Sequence, residues 1–311
     1  MRLASVSVDL DSIAHYCRIH GLDPQAPSER ARRLVYGEGI GRFLALFSEL
    51  GLRATFFAVG ADLEGDAGAC AAIDRAAREG HEIGNHSGAH DYALTRKSAA
   101  FIATDLERGE RAIEAAARKR PVGFRAPGYT LSGPLLEALA ARDYRYDSSA
   151  FPAAPYYLAK AAVLTALRVV GRPSLAILDR PRVLLAPLEP YRPDREEPYR
   201  RGSLPLMELP IAVLPRSRLP FIGTVLVGLP ERASALLYRQ VRRRPHLNLE
   251  LHGIDLLDSA DVDFEPLARV QRELRVPWSL KRERLAAMLR RIGADFEWGT
   301  LEVAAERFAS L

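Results

Sequence analysis

Short apolar runs alternate with amphipathic stretches through the first half of the chain. The runs LASVSVDL, RATFFAVG and HEIGNHS have the length of strands, and the second is closed by glycine. Between them, apolar residues recur at helical spacing over residues 41–50, 67–79 and 98–118. The first two helical stretches stop at Gly51 and Gly80, as helices commonly do. Alternation of this kind predicts βα units around a parallel sheet or barrel.

The same alternation continues in the second half of the chain. VGFRAPG and YRYDSS are the fourth and fifth predicted strands, with a helix over residues 132–143 between them. Further strand-like and helical patterns are LMELPIAV, PHLNLELHG, a helix near 281–292 and the final strand and helix in ADFEWGTLEVAAERF. The fold class that this order favours is α/β.

One segment interrupts the alternation. After Phe151 prolines become frequent, and an apolar helix at 156–170 precedes a Pro- and Arg-rich loop that reaches Gly202. We therefore predict a single domain over 1–311, with residues 152–202 as an insertion after strand five.

The composition is that of a folded globular protein. Of the 311 residues, 48% are hydrophobic and 27% charged, which excludes a mainly disordered chain. Two cysteines, Cys17 and Cys70, are too few for a disulfide framework and fit free thiols in a reducing compartment. The start MRLASVSVDLDS lacks the pattern of a signal peptide, and no apolar run reaches the length of a spanning helix. We expect a cytoplasmic protein, unless contacts hold it at a membrane surface.

The charge balance permits an anionic partner but does not indicate nucleic acid. The net charge is +5 and the isoelectric point about 9.3. The arginines are dispersed, and no basic patch interleaved with aromatic residues occurs. The densest basic cluster, RQVRRRPH at residues 239–246, is better interpreted as a solvated helix end. We therefore expect no nucleic-acid partner.

Polar and ionisable residues follow the predicted strands where each strand ends. These residues are Asp9 and Asp11 after strand one, His86 and His90 after strand three, Arg125 after strand four, Asp147 in strand five, and His252 after LNLEL. Parallel α/β folds keep their ligand sites at the carboxyl ends of the strands. Charges left unpaired there would be costly, so we expect these groups to pair or to bind a metal.

Five motifs in this chain occur in the order SVDLDS, HSGAH, FRAPGY, YDSS and LELH. Together they resemble the motifs of the polysaccharide deacetylases, the NodB-homology group called carbohydrate esterase family 4. The Asp-x-Asp form in SVDLDS is similar to that of the peptidoglycan-deacetylase-like branch. The resemblance implies a distorted barrel of fewer than eight βα units, one divalent metal, and hydrolysis of an N-acyl group, most simply N-acetyl, on an amino sugar.

Asp11, His86 and His90 are the expected metal ligands. On a helical turn, two imidazoles four residues apart project to the same side, and one carboxylate completes a facial set with open positions. Zinc is our first expectation, but the same ligand types accept iron, cobalt or nickel, and the sequence does not choose. Taken alone, HSGAH could instead be a hydrogen-bonded polar turn.

Asp9 is the expected general base, since it lies two residues before Asp11 and shares its strand face. It could instead open an ordinary acidic loop that caps the next helix. The resemblance implies that Arg125 pairs with Asp9 and keeps it ionised, and a salt bridge between strand ends is the simpler reading of that arginine.

The resemblance assigns two further roles. Pro127 and Gly128 predict a turn, and the backbone N–H of Gly128 or Tyr129 would hold the oxyanion. His252 matches the histidine that protonates the leaving amine, although it could be a buried histidine bonded to a carbonyl. Asp147 could support the pocket wall or form a strand-end turn. No aspartate to tune His252 is evident in the sequence.

Two apolar segments bear on the substrate. Residues 156–171 and 219–230 are too short to span a bilayer, so they either contact a membrane surface or pack over the barrel as a lid or core. Membrane contact would favour a lipid-linked sugar and, as an alternative activity, its deformylation. A non-catalytic sugar- or membrane-binding protein should lack one of the site residues, and all are present. A metallohydrolase of another kind would normally show HxH on strand one, which is absent.

Overall fold

The computed structural model describes residues 2–171 and 174–310, so two residues of the predicted insertion, 172 and 173, lie outside the described residues. Its strands are β1 Leu3–Asp9, β2 Thr55–Ala58, β3 Glu82–Asn85, β4 Gly123–Phe124, β5 Tyr146–Asp147, β6 Met207–Glu208, β7 His246–His252 and β8 Glu297–Trp298. They form one sheet in the order β6-β5-β4-β3-β2-β1-β7, and β8 pairs with the start of β1. Every strand pairing is parallel, so the carboxyl ends of the strands meet at one edge.

Helices occupy most of the connections between these strands. They are α1 Ile13–Ile19, α2 Glu29–Arg32, α3 Ile40–Glu49, α4 Gly60–Leu63, α5 Ala67–Arg78, α6 Ala99–Ala117, α7 Gly133–Ala141, α8 Ala154–Val169, α9 Gly223–Gly228, α10 Glu231–Val241, α11 Glu265–Val270, α12 Trp278–Gly293 and α13 Leu301–Ala309. A π-helical turn, Val35–Gly39, leads into α3. Short 3-10 turns are Leu94–Arg96, Pro181–Leu185, Gly253–Leu256 and Arg272–Arg275.

The two longest strands separate an apolar face from a polar one. Alternate residues of β1 and β7, namely Ala4, Val6, Val8, Leu247, Leu249 and Leu251, join the main hydrophobic core with the helices. The residues between them face inward, where Ser5 contacts His246 and the Ser7 hydroxyl donates to Asn248 at 3.3 Å. Because side chains alternate across a strand, every second residue of β1 and β7 belongs to this polar layer. The layer therefore continues along both strands as far as their carboxyl ends.

The segment after β6 contacts β7, at the other end of the strand order, and so curls the sheet. After β6, the backbone N–H of Ala212 donates to the Asn248 carbonyl of β7 at 3.0 Å. The Asn248 side chain donates in turn to the Leu209 carbonyl at 3.0 Å. The result is a curled parallel half-barrel, and the predicted distorted barrel of fewer than eight βα units is confirmed.

Several predicted elements match the structure closely. Ser98 accepts a hydrogen bond from the Phe101 N–H and caps α6, and Ser132 caps α7 through the Leu135 N–H. The sequence patterns did not predict α1, α2 or α4. The fourth and fifth strands are also shorter than predicted, with two residues each.

The two apolar segments have different environments. In 219–230, Phe221, Leu226 and Val227 are buried in the main core, as the core-packing alternative for this segment anticipated. By contrast, α8 has no fully buried residue. None of the helices in the described ranges is long and apolar enough to cross a membrane.

Candidate active site

The HSGAH motif forms a loop after β3, held in shape by backbone and side-chain hydrogen bonds. Ser87 and His90 have φ of +76° and +52°, so the predicted helical turn is wrong here. The Ser87 hydroxyl accepts from the His90 N–H at 3.0 Å. The Asp105 carboxylate of α6 accepts from the N–H groups of Gly88 and Ala89, each at 2.9 Å. These contacts fix the orientation of both histidines without a helix.

The loop brings the three expected metal ligands together. Asp11 Oδ1 lies 3.1 Å from His86 Nε2 and 2.8 Å from His90 Nε2. His86 Nδ1 donates to the Arg125 carbonyl at 2.7 Å, which leaves the Nε2 of a neutral ring as an acceptor facing Asp11. One ligand atom from each of the three residues lies within 4.8 Å of the others.

The donor atoms of this cluster fit a divalent cation. In the described part of the chain, Asp11 Oδ1 and both ring nitrogens of His90 are buried without a hydrogen bond. Burial lowers the pKa of His90 to about 4, which keeps the imidazole neutral, as a metal ligand must be. Converging carboxylate oxygen and imidazole nitrogen atoms are ligands that zinc accepts. These residues could therefore hold such a metal.

Asp9 and Arg125 form a buried ion pair beside the cluster. Arg125 Nη1 donates to Asp9 Oδ1 at 2.7 Å and to the Ser7 hydroxyl at 3.0 Å. Its Nε and Nη2 donate to the carbonyl and hydroxyl of Ser148 at 2.8 and 2.7 Å, and its guanidinium lies over the Phe57 ring. Burial raises the pKa of Asp9, and the Arg125 charge opposes that shift. The guanidinium thus holds Asp9 Oδ1 in one orientation.

His252 lies in a network that includes a carboxylate not predicted from the motifs. Its Nε2 is 2.9 Å from the Tyr129 hydroxyl, and its Nδ1 is 2.9 Å from Glu250 Oε1. The Tyr129 hydroxyl donates to the same Glu250 oxygen at 3.0 Å. Burial lowers the pKa of His252, but the Glu250 carboxylate outweighs it and the net pKa is well above its usual value. The alternation in LNLELH was the signal available, since it places positions 250 and 252 on one face.

The FRAPGY segment forms a tight turn over the cavity. The Ala126 carbonyl accepts from the Tyr129 N–H at 3.1 Å, and Gly128 has φ of +69° after Pro127, as a type II turn requires. The Tyr129 amide is therefore occupied within the turn. Of the two backbone donors expected from the sequence, the Gly128 N–H is the one that donates no hydrogen bond within this turn.

Asp147 supports this turn from below and does not line the cavity. Its carboxylate accepts from the backbone N–H and the hydroxyl of Ser149 at 3.0 and 2.8 Å. The Ser149 hydroxyl accepts in turn from the Ala126 N–H at 2.8 Å. Burial raises the pKa of Asp147, which lies beside the buried Glu208 carboxyl. Asp147 therefore forms a strand-end turn with Ser149 and, through the Ser149 hydroxyl, also supports the turn in the cavity wall.

A cavity of about 300 Å³ joins these groups. The expected site residues that line it are Asp9, Asp11, His86, Gly128, Tyr129 and His252. Sequence analysis missed three aromatic residues in its wall, Tyr16, Tyr92 and Tyr156. The face of α8 that carries Lys160 and Leu164 closes the opposite side, so this helix covers the cavity as the lid alternative anticipated.

These features define a parallel α/β half-barrel protein with residues that could hold a metal at the carboxyl ends of its strands. Residues 35–146 match the family model described as Polysaccharide deacetylase. Residues 35–146 are thus similar to the polysaccharide deacetylases, and the resemblance seen in the five motifs is confirmed.

Two known proteins illustrate the relationship. A peptidoglycan deacetylase of Helicobacter pylori is 31% identical over 161 residues, which are 50% of this chain and 53% of that protein. The chain therefore spans about half the length of this curated relative. A crystal structure from Mycobacterium smegmatis, provisionally assigned as a polysaccharide deacetylase, covers 99% of this chain and 90% of its own, with a TM-score of 0.63 and 18% identity. The similarity to the Mycobacterium smegmatis structure shows that the two chains share a fold.

Proposed function

We propose that the protein is a metal-dependent hydrolase that removes an N-acyl group, most simply N-acetyl, from an amino sugar. The observation that carries this proposal is the convergence of acceptor atoms from Asp11, His86 and His90 in one buried cluster. The cluster shares its cavity with Asp9 and His252, which supply a base and an acid. The match to the deacetylase family model supports the same reaction class.

A divalent metal held by Asp11, His86 and His90, with zinc as the first candidate, would supply Lewis-acid polarisation of the attacking water and of the acyl oxygen. The ligand set also suits cobalt or nickel. Asp11 and the two histidines must be deprotonated to bind it, and the lowered pKa of His90 favours that state for His90 itself.

The other residues divide the proton transfers. Asp9 takes a proton from the water whose oxygen bonds to the acyl carbon, while Arg125 keeps the Asp9 carboxylate oriented. The N–H of Gly128 donates to the oxyanion that develops on the acyl oxygen. His252 gives a proton to the nitrogen as the C–N bond breaks, so the products are a free amine and a carboxylic acid.

The cavity wall supports a sugar as the substrate. Tyr16, Tyr92, Tyr129 and Tyr156 line it, and aromatic faces pack well against the C–H faces of a pyranose ring. Within the described residues, the hydroxyls of Tyr16 and Tyr92 are buried without a hydrogen-bond partner. Sugar hydroxyls would satisfy these donors.

Metal dependence is tested by chelation. The protein, treated with a chelator and dialysed, should lose release of acetate from N-acetylated amino sugars, and zinc, cobalt or nickel should restore it. Full activity in the metal-free protein would exclude the proposed mechanism. No release from any N-acylated sugar by the metal-loaded protein would favour a non-catalytic binding role.

A second candidate is deformylation of a lipid-linked amino sugar at a membrane surface. The outward face of α8 and its C-cap favour it, since Leu158, Val169 and the C-cap Val170 are 66%, 80% and 64% exposed. Formate release from a formylated, lipid-linked sugar, compared with acetate release from its acetylated form, separates the two activities. Sedimentation with anionic vesicles, lost in Leu158→Gln with Val169→Gln, tests the membrane contact.

A further inference from the structure

Lys160 is a cation on the otherwise apolar wall that α8 contributes to the cavity. The neighbouring wall residues on this helix are Ala159, Val163 and Leu164. Lys160 Nζ donates to the Gly128 carbonyl at 3.1 Å and lies 5.8 Å from the centre of the Tyr156 ring. The ammonium therefore reaches the cavity beside the candidate active site.

The charge of Lys160 lacks a matching anion. Among residues 2–171 and 174–310, no carboxylate forms an ion pair with it, and Asp179 acts on it only at longer range. The two acidic groups of the cavity have other partners, since Asp9 pairs with Arg125 and Asp11 faces the histidines. Burial lowers the pKa of Lys160 to about 8, so the charged form of the side chain still predominates at neutral pH.

An ammonium has three N–H donors, and the Gly128 carbonyl uses one of them. A partly desolvated cation with a single neutral partner gains most from a ligand anion that supplies the missing charge and acceptors. Lysine binds phosphate well as a point charge, and a phosphate ester can continue into an apolar group that would meet Val163 and Leu164.

We propose that Lys160 recognises a phosphate ester on the amino-sugar substrate, next to the N-acyl group that is removed. This inference rests on the proposed deacylase function and adds the substrate class. The phosphate could belong to a water-soluble sugar phosphate or to the phosphodiester of a lipid-linked sugar. Both present the same anion to Lys160, and only the second places a hydrophobic chain on the α8 wall.

Steady-state kinetics on three substrates tests the role of Lys160. The substrates are an N-acetylated amino sugar, its phosphate monoester, and its phosphodiester with a short prenol in detergent. In Lys160→Met, KM for the two phosphorylated substrates should rise roughly tenfold or more relative to KM for the neutral substrate. Lys160→Arg should keep most of the preference. Lys119→Met, which removes an exposed lysine paired with Glu302, is the matched control.

The outcomes separate recognition from a structural role. If Lys160 only fixes the Gly128 carbonyl, Lys160→Met lowers kcat equally for neutral and phosphorylated substrates, and the proposal is overturned. An unchanged KM overturns it as well. A diester with lower KM than the monoester identifies the lipid-linked source, and a monoester with lower KM than the diester identifies the soluble one.

Calorimetric binding keeps this test independent of catalysis. The metal-loaded protein is titrated with the phosphorylated and the neutral amino sugar. If no substrate is hydrolysed, the deacylase proposal fails, whereas tighter phosphate-ester binding that Lys160→Met abolishes still supports recognition. Equal binding of both sugars by the unmodified protein contradicts the role of Lys160. Circular dichroism of each variant shows that the fold is retained.

Discussion

Glu250 and His252 lie two residues apart on β7, and their side chains meet beside the cavity that His252 lines, with Oε1 and Nδ1 2.9 Å apart. The Tyr129 hydroxyl contacts both side chains. A buried carboxylate beside an imidazole favours the charged ring, so His252 stays protonated above its usual pKa. A general acid in this position needs that proton at neutral pH.

Replacing Glu250 should change the pH dependence of catalysis. In Glu250→Gln the negative charge is lost, so the pKa of His252 falls and His252 loses its proton at lower pH. The alkaline limb of kcat/KM should move down by about one pH unit or more. Rates measured from pH 5 to 10 give this limb. Tyr129→Phe, which removes a hydroxyl but no charge, should move the limb less, and a uniform loss at every pH in Glu250→Gln would contradict the tuning role.

Metal binding should depend on the HSGAH loop. His86→Ala removes one of three protein ligands, so we expect most of the bound metal to be lost while the loop contacts of Asp105 preserve the fold. Elemental analysis of the purified variant measures this. His81→Asn, at the other end of β3, serves as the control that should keep its metal. An unchanged metal content in His86→Ala would remove His86 from the ligand set.

Asp9 and Asp11 should have separable roles. Asp11→Asn should lower metal affinity, because a neutral amide is a poorer ligand than a carboxylate. Asp9→Asn should keep the metal, since Asp9 pairs with Arg125, and turnover should fall by roughly a hundredfold or more. Metal titration and hydrolysis assays on both variants check this. If Asp9→Asn loses metal and Asp11→Asn keeps it, the two assignments must be exchanged.

The sequence predicted the fold where its patterns were regular. Alternation in LASVSVDL and LNLEL identified β1 and β7, because one face of each strand packs on helices and the other forms a polar layer. The predicted lengths of β4 and β5 were too long, because a strand with only two paired residues gives little periodicity in the sequence. The helix α1 was missed because it is short, and the adjacent polar segment obscured its spacing.

For the site, motif order indicated which residues would meet but not how they meet. The turn at HSGAH depends on left-handed backbone at Ser87 and His90, which residue type alone does not predict. The wall formed by α8 depends on how a helix 150 residues along the chain packs over the barrel. No local pattern places Lys160 beside Gly128, and only the three-dimensional arrangement does so.

His81 should make stability depend on pH, independently of the active site. It is buried against Phe47 and Phe56, and its Nδ1 accepts the Ala54 N–H at 3.0 Å. Burial lowers its pKa to about 4, and protonation would place an N–H against the Ala54 donor. The unfolded chain therefore binds more protons than the folded one between about pH 6.5 and 4. The stabilising effect is present above the unfolded pKa and is lost as the pH falls toward the folded one.

The corresponding measurement is urea unfolding at pH 7 and pH 4.5 for the unmodified protein and His81→Asn. Between pH 7 and pH 4.5 the unfolding free energy should fall in both proteins. The fall should be larger in the unmodified protein, by on the order of 2 kcal/mol. Other buried groups, including His246 with its pKa lowered to about 3 by burial, titrate in both proteins and cancel in the difference. At pH 7 the variant should be the less stable of the two, because it loses the imidazole packing against Phe47 and Phe56. Parallel pH dependence in the two proteins would show that His81 does not contribute.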